Sequence, residues 1–147
     1  MSAVPVMDAI TVPASLASLE EVAGYVRALA EQGNLPARAA YNLRLAVDEI
    51  VTNIIMHGYR EGPGEIRVSG GLERDHVWLQ VADQAPPFDP RTVDSGPQPN
   101  TPPMEMQLGG LGLFLALKAV DGFSYEFTNG TNINTLTMSS ASYGGCS

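Results

Sequence analysis

The sequence predicts an α/β (α+β) two-layer sandwich, in which a mixed, mainly antiparallel sheet carries three main helices on one face. Three observations lead to this prediction: segments with apolar residues at helical spacing, segments in which apolar and polar residues alternate, and the order of these segments. The order is strand, two helices, two strands, a long loop, a helix and two strands. At 147 residues, of which 44% are apolar, the chain fits a single domain.

The N-terminal half predicts one strand and two helices. Residues 8–13 form the strand, and a helix over 15–33 has apolar residues at three- and four-residue steps. A second helix begins near Pro36, where the missing N–H of proline has no cost, and extends to about His57. Gly58 ends this helix and opens a turn.

The C-terminal half predicts a hairpin, a long loop, a helix and a second pair of strands. The loop over 84–109 holds seven prolines and little periodicity, and such a loop within a compact domain is functional or disordered. The predicted strands are 65–71, 76–82, 123–128 and 133–138, and the glycine turn 109–112 opens a helix that runs to about Val120.

Composition excludes several classes of function. The net charge is −8 with only eight Lys and Arg, which argues against a sequence-independent nucleic-acid binder. A single cysteine, Cys146, provides neither an internal disulfide nor a cysteine metal cluster. The first ten residues lack the pattern of a secretory signal, and the longest apolar run, 111–117, is too short to span a membrane. A soluble cytoplasmic protein is predicted.

The second helix carries a polar stripe beside its apolar face. Glu49, Asn53 and His57 stand at i, i+4 and i+8. One interpretation is a solvated helix face. The other is a nucleotide site, because an amide oxygen is a suitable Mg²⁺ ligand and a carboxylate one turn earlier can accept a proton from an attacking hydroxyl.

Two further signals are weak when each is taken alone. Asp83 ends a strand, where it caps a turn or accepts a hydrogen bond from a buried donor such as the exocyclic amine of adenine. The glycine turn Gly109–Gly112 precedes a helix, where it is a simple turn or a site for phosphate, since bare backbone at a helix N-terminus attracts anions.

Taken in order, these signals resemble the nucleotide site of the ATPase superfamily of histidine kinases, gyrase, heat-shock-90 chaperones and mismatch-repair ATPases, whose Bergerat-type (GHKL) fold is the sandwich predicted above. Within it, the chain is most similar to the anti-sigma-factor serine/threonine kinases. The similar stretches are 43–60, 79–90 and 109–138, and with the N-terminal helix they cover roughly 8–140.

The resemblance implies roles for the residues of the helix and strands. Glu49 corresponds to the general base, and Asn53 to the Mg²⁺ ligand. Asp83 corresponds to the acid that contacts the adenine amine, and Thr135 to a threonine that joins it, with a water, around adenine. His57 lies near the nucleotide in the same comparison, without an assigned chemistry.

The resemblance also implies a phosphate side. Gly109, Gly110 and Gly112 correspond to the phosphate-side glycines, and Leu111 belongs to the same turn. Phe88, in the segment after the adenine-reading Asp, is counted with the nucleotide site. The segment 91–109 corresponds to the nucleotide lid of the family.

One residue departs from the family pattern. The family usually has a glycine two residues after the adenine-reading Asp, and this chain has Ala85 there. A β-carbon at this position is expected to crowd the base if the backbone needs a positive φ.

The function implied by the resemblance is an ATP- and Mg²⁺-dependent protein-serine/threonine kinase with anti-sigma activity. Its implied partners are a small anti-anti-sigma (STAS-type) protein, which it phosphorylates, and a sigma factor, which it sequesters; a homodimer is compatible with both. No direct contact with nucleic acid or membrane is expected. Two alternatives stay open: a nucleotide-binding partner-switch module without phosphotransfer, and an unrelated two-layer α/β domain. The presence of Glu49 and Asn53 favours the kinase.

Overall fold

A computed structural model describes residues 6–92 and 111–140 of the chain. Five strands form one sheet: β1 (Val6–Pro13), β2 (Glu65–Glu73), β3 (His76–Asp83), β4 (Gly122–Thr128) and β5 (Thr131–Ser139). Their order across the sheet is β1-β2-β3-β5-β4. This topology confirms the predicted α+β sandwich.

Three main helices pack on the sheet: α1 (Leu19–Gln32), α2 (Ala37–Asn53) and α3 (Leu111–Lys118). Helix α2 continues directly into a π-helical turn, Ile54–Gly58. Short 3₁₀ turns precede α1 at Leu16–Ser18 and follow β3 at Pro90–Thr92. Of the segment predicted to be a lid, 91–109, all but its first two residues lies outside the described ranges.

Every pairing among the described strands is antiparallel, where the sequence predicts a mixed, mainly antiparallel sheet. The sheet has no parallel pair among these strands because β5 lies between β3 and β4. Strands β3 and β4 run in the same direction, but β5 pairs with both and separates them.

The core lies between the sheet and the helices. Residues of alternate positions on β3 and β5 point towards the helices, so the apolar ones are fully buried there: Val77, Leu79, Val81, Leu136 and Met138. Helix α2 is central, since it packs against α1, α3, β3 and β5. Truncating one of these core leucines to alanine typically costs about 2–5 kcal/mol. The same alternation continues to the ends of β3 and β5, where the inward residues become polar.

None of the helices within 6–92 and 111–140 is long and apolar enough to cross a membrane.

Candidate nucleotide site

One cavity opens where the C-terminal end of α2 meets the ends of β3 and β5 and the start of α3. Apolar side chains from both helices form part of its wall, and polar side chains come from all of these elements except α3. The lining includes Ile50, Asn53, Ile54, His57, Asp83, Phe88, Leu113, Asn132 and Asn134. Three of the sequence-predicted stretches therefore converge on one hollow.

The end of α2 widens as it reaches this cavity. The N–H of Tyr59 donates to the carbonyl of Ile54 at 2.8 Å, an i→i+5 bond that defines a π turn. Single π turns inside helices are often found at functional sites. Here the turn follows Asn53 directly, so that Asn53 and the exposed His57 both line the cavity.

Glu49 lies against the first turn of α3. A β-carbon built on Gly112 would be 2.9 Å from Glu49 Oε1 and 3.2 Å from its Cδ. Only a glycine lets the two helices hold the carboxyl this close. Burial raises the pKa of Glu49, and the neighbouring charge of Asp48 raises it further. Glu49 itself is beside the cavity rather than in its lining, which begins one residue further along each helix, at Ile50 and Leu113.

The opposite wall of the cavity is built around Asp83. Its side chain is buried, and its Oδ1 accepts hydrogen bonds from the N–H of Ala85 at 2.9 Å and from Nδ2 of Asn132 at 3.0 Å. Burial raises the pKa of Asp83, and these two hydrogen bonds oppose that rise without cancelling it. Among the described residues, no cation pairs with this carboxyl.

Asn132 ties this wall to the loop after β3. Besides Asp83, its Nδ2 donates to the carbonyls of Ala85 at 3.0 Å and Pro86 at 3.3 Å. Its Oδ1 accepts from the N–H of Phe88 at 3.1 Å and from the hydroxyl of Tyr125. The amide is therefore fully used, and it fixes the orientation of Asp83 and the path of the loop.

Asn134 lies two residues further along the same strand and differs in its bonding. It is 2% exposed, and its Nδ2 donates to the carbonyl of Val81 at 3.4 Å, near the upper limit for a hydrogen bond. Its Oδ1 is buried and has no hydrogen-bond partner among residues 6–92 and 111–140. A buried acceptor without a donor is unfavourable, so this atom requires an explanation.

Thr135 is not placed where the resemblance implies. Strand β5 buries alternate residues, and the buried set includes Asn132 and Asn134, so Thr135 faces the side of the sheet away from the helices. The position opposite Asp83 belongs to Asn132. The correction follows from strand geometry, because a one-residue shift moves a side chain to the other face. The signal was present in the sequence, since Leu136 and Met138 mark the inward face.

Ala85 does not have the positive φ that would make an alanine unfavourable at this position. The non-glycine residues with positive φ in the described ranges are Asn34, Arg60, Glu61 and Asn129, and Ala85 is not among them. Its β-carbon packs instead towards Gly58, where an added β-carbon would approach it to 3.0 Å. The alanine is accommodated because the position facing it, at the end of the π turn, is a glycine.

The rim of the cavity includes one residue that the sequence reasoning missed. Arg60 lines the cavity with φ of 54°, a left-handed conformation that is uncommon outside glycine. Glu61 follows it with φ of 61°. Both residues lie in the turn that follows the π-helical segment.

The remaining predicted residues divide into two groups. Phe88 lines the cavity, 39% exposed at its rim. Gly109 and Gly110 lie outside the described residues, and for Leu111 only its backbone, at the start of α3, is described. Within the described parts of the chain, no group of three or more His, Cys, Asp or Glu could hold a metal ion.

Comparison with known proteins places this geometry in a family. The profile of the histidine kinase-like ATPase domain matches residues 12–140. The chain belongs to that family, which confirms the superfamily inferred from the three motifs.

Individual relatives show which kind of protein within this family the chain resembles. A serine-protein kinase RsbW from Oceanobacillus iheyensis is 34% identical over 84 residues, which cover 54% of this chain and 53% of that protein. A serine-protein kinase RsbW from Bacillus cereus is 33% identical over 95 residues, covering 63% of this chain and 59% of that protein. The matched part thus spans less than two thirds of these relatives. The predicted resemblance to anti-sigma serine kinases is confirmed.

A solved structure supports the fold independently. The crystal structure of the RsbU and RsbW domains of a Mycobacterium tuberculosis protein superposes with a TM-score of 0.60 at 19% identity. The match covers 90% of this chain and 32% of that one. At this identity the likeness establishes the shared architecture.

Proposed function

We propose that this chain is an ATP- and Mg²⁺-dependent protein-serine/threonine kinase that phosphorylates a small anti-anti-sigma (STAS-type) domain and sequesters a sigma factor. The observation that carries the proposal is the shared cavity, which is lined by Asn53 of α2, Asp83 of β3 and Asn134 of β5. Membership of the ATPase family and similarity to proteins named serine-protein kinase RsbW support it.

The lining of the cavity combines the apolar and polar groups that an adenine nucleotide needs. Ile50, Ile54 and Leu113 provide apolar wall against which a flat base can pack. Asp83 and Asn134 Oδ1 are buried acceptors, and adenine presents a donor, its exocyclic amine. Asn53 would hold Mg²⁺ through its amide oxygen, a hard ligand of the kind that this ion prefers, and the ion would compensate charge on the phosphates.

Phosphoryl transfer leaves the protein mainly with positioning and charge compensation. Bound Mg²⁺ would neutralise charge on the triphosphate. The base wall around Asp83 would hold the nucleotide with its phosphates towards the N-terminus of α3, where backbone N–H groups favour anions. A serine or threonine oxygen of the partner bonds to the γ-phosphorus while the bond to the β–γ bridging oxygen breaks. Glu49 takes the hydroxyl proton, and ADP departs.

The raised pKa of Glu49 suits a general base and predicts a pH limit. A carboxyl whose pKa lies above its usual value binds a proton more strongly than an ordinary glutamate, which favours proton transfer from a hydroxyl. The same shift means that the base is lost at a higher pH than usual as the solution is acidified. Transfer is expected to decline on the acid side as pH falls through that raised pKa.

The test is transfer of label from γ-labelled ATP to a purified anti-anti-sigma (STAS-type) protein. Glu49→Gln is expected to lower the transfer rate by roughly 10²- to 10⁴-fold, the range for general-base removal, and to keep ATP affinity within about twofold. Glu20→Gln, an exposed change at the start of α1, is the matched control.

The outcomes separate the two functions that were left open. Label on the partner that disappears with Glu49→Gln supports the kinase. ATP binding with no transfer by the unaltered chain would identify a nucleotide-binding module instead. Calorimetric titration with a purified sigma factor, in ATP and in ADP, tests the sequestration part; the absence of heat in both would contradict it.

A further inference from the structure

We propose that Asn134 is a specificity-determining residue of the nucleotide site: its side-chain oxygen and the Asp83 carboxylate together accept the two hydrogens of the exocyclic amine of the base. The inference rests on the proposed function, because it concerns the nucleotide that the cavity receives. It extends that function by assigning discrimination between amino purines and other purines to a residue for which the sequence comparison implies no role.

The geometry leaves one free end on the Asn134 amide. Its Nδ2 is engaged by the carbonyl of Val81 on the neighbouring strand, which fixes which end of the amide remains available. Its Oδ1 is buried, has no hydrogen-bond partner within the described parts of the chain, and belongs to a residue that lines the cavity. A ligand donor that packs against Asn134 would supply this oxygen with a partner.

Asn132 provides the internal comparison. It has the same side chain, lies on the same strand and face, and is equally buried. Its amide, however, makes hydrogen bonds at both ends within the protein. Burial of an asparagine on this strand thus does not by itself leave an atom unpaired, and the free acceptor is particular to Asn134.

The chemistry of the two acceptors selects the ligand group. An aromatic amine offers two N–H donors, whereas a 6-oxo purine offers an acceptor in the same place and an unsubstituted purine offers neither. Sites that bond a polar group reject analogues lacking it, because their own buried groups are then left unpaired. The pair Asp83 and Asn134 therefore favours an amino purine over both analogues.

The experiment measures binding and folding rather than turnover. Asn134→Leu removes the free acceptor with little change in volume, and Thr135→Val, the next residue on the opposite face, is the matched control. Dissociation constants are measured by calorimetry for ATP, purine riboside triphosphate and ITP, with Mg²⁺. Thermal unfolding is measured without nucleotide.

We expect Asn134→Leu to weaken ATP binding about five- to tenfold, as for loss of one neutral hydrogen bond. Binding of purine riboside triphosphate should stay within about twofold, so that the preference for ATP over it shrinks by the same factor. The midpoint of unfolding without nucleotide should rise, because an unpaired buried acceptor has been removed. Thr135→Val should change neither preference nor midpoint appreciably.

Several outcomes would overturn the inference. Unchanged ATP affinity in Asn134→Leu would do so, as would equal weakening for all three nucleotides, which would indicate packing alone. Should Asn134→Leu fail to fold, Asn134→Val replaces it with the same expected change in preference. Failure of the unaltered chain to bind ATP would instead contradict the proposed function.

Discussion

Two parts of the proposed site are built in different ways: one wall of the cavity, and the carboxyl that lies beside the cavity. The base wall, Asp83 with Asn132 and Asn134, lies on two paired strands, is buried, and is held by hydrogen bonds between neighbouring strands and the loop that follows β3. The transfer end, Glu49 with Gly112, lies on two helices and is held by a close side-chain approach; among the described residues no hydrogen bond orients the Glu49 carboxyl.

For the proposed kinase, this difference predicts a division of tasks. A buried, bonded wall on a sheet is rigid and resists substitution, which suits discrimination between bases. A carboxyl at the end of a flexible side chain can adjust its position when a partner hydroxyl arrives, which suits proton transfer. Changes at the wall should therefore alter affinity, and changes at the transfer end should alter rate.

Asp83→Asn should have the largest effect on the wall. The substitution replaces one carboxylate oxygen with an NH₂ group. It is expected to weaken ATP binding roughly hundredfold, because the hydrogen bond from the adenine amine to a charged carboxylate is lost and the new NH₂ group faces that amine. The measurement is calorimetry with ATP·Mg²⁺. Asp75→Asn, an exposed change in the turn between β2 and β3, is the control.

The same variant has a stability signature that depends on pH. Because burial raises the pKa of Asp83, the folded chain binds this proton more tightly than the unfolded chain. Its contribution to stability is complete below the ordinary aspartate pKa and is lost as pH rises through the raised value. The unfolding midpoint of Asp83→Asn, relative to the unaltered chain, should therefore increase from acid to neutral pH. A difference that falls with rising pH would contradict this.

Gly112→Ala probes the transfer end. The new β-carbon displaces the Glu49 carboxyl, and because that is the end of a flexible side chain the fold should remain intact. We expect transfer to fall about tenfold, as for a misplaced catalytic group. Combining it with Glu49→Gln should add little further loss, since both act through one carboxyl. A full additional tenfold loss would mean that Gly112 acts on the phosphates independently.

Gly58→Ala should have the smallest effect, and it tests how the two ends are joined. Its β-carbon would lie 3.0 Å from that of Ala85, linking the π turn after α2 to the loop of the base wall. We expect a loss of about 1 kcal/mol in the free energy of unfolding. Ala85→Gly should restore part of it in the double variant, and chemical denaturation of all four forms measures the coupling. Strict additivity would show that the two positions do not touch.

Much of the transfer end could be predicted from local sequence. Glu49 and Asn53 are one turn apart on a helix whose period is clear, so their common face follows from spacing alone. The glycine turn before α3 was equally local. What spacing did not give is the contact between Glu49 and Gly112, which are far apart in the chain and meet only because α2 packs against α3.

The base wall was harder to predict. The sequence predicts Asp83 and Thr135; the structure places Asp83 in the cavity lining, whereas Thr135 lies on the opposite face of β5 from Asn132 and Asn134. Alternate residues of β5 lie on opposite faces of the sheet, and the apolar Leu136 and Met138 show which of the two faces is the buried one. The family resemblance implies Thr135, whereas the alternation of β5 predicts that Asn132 and Asn134 face inward. The strand pairing agrees with the alternation.

The sequence by itself determined the elements, their order and the chemistry available on each, because helix and strand periods, caps and glycines act over a few residues. Tertiary structure decided which distant groups meet: the alignment of β5 beside β3, the glycine that accommodates Ala85, and the burial of an asparagine oxygen that no other described residue satisfies. These depend on packing between segments far apart in the chain, which no local pattern encodes.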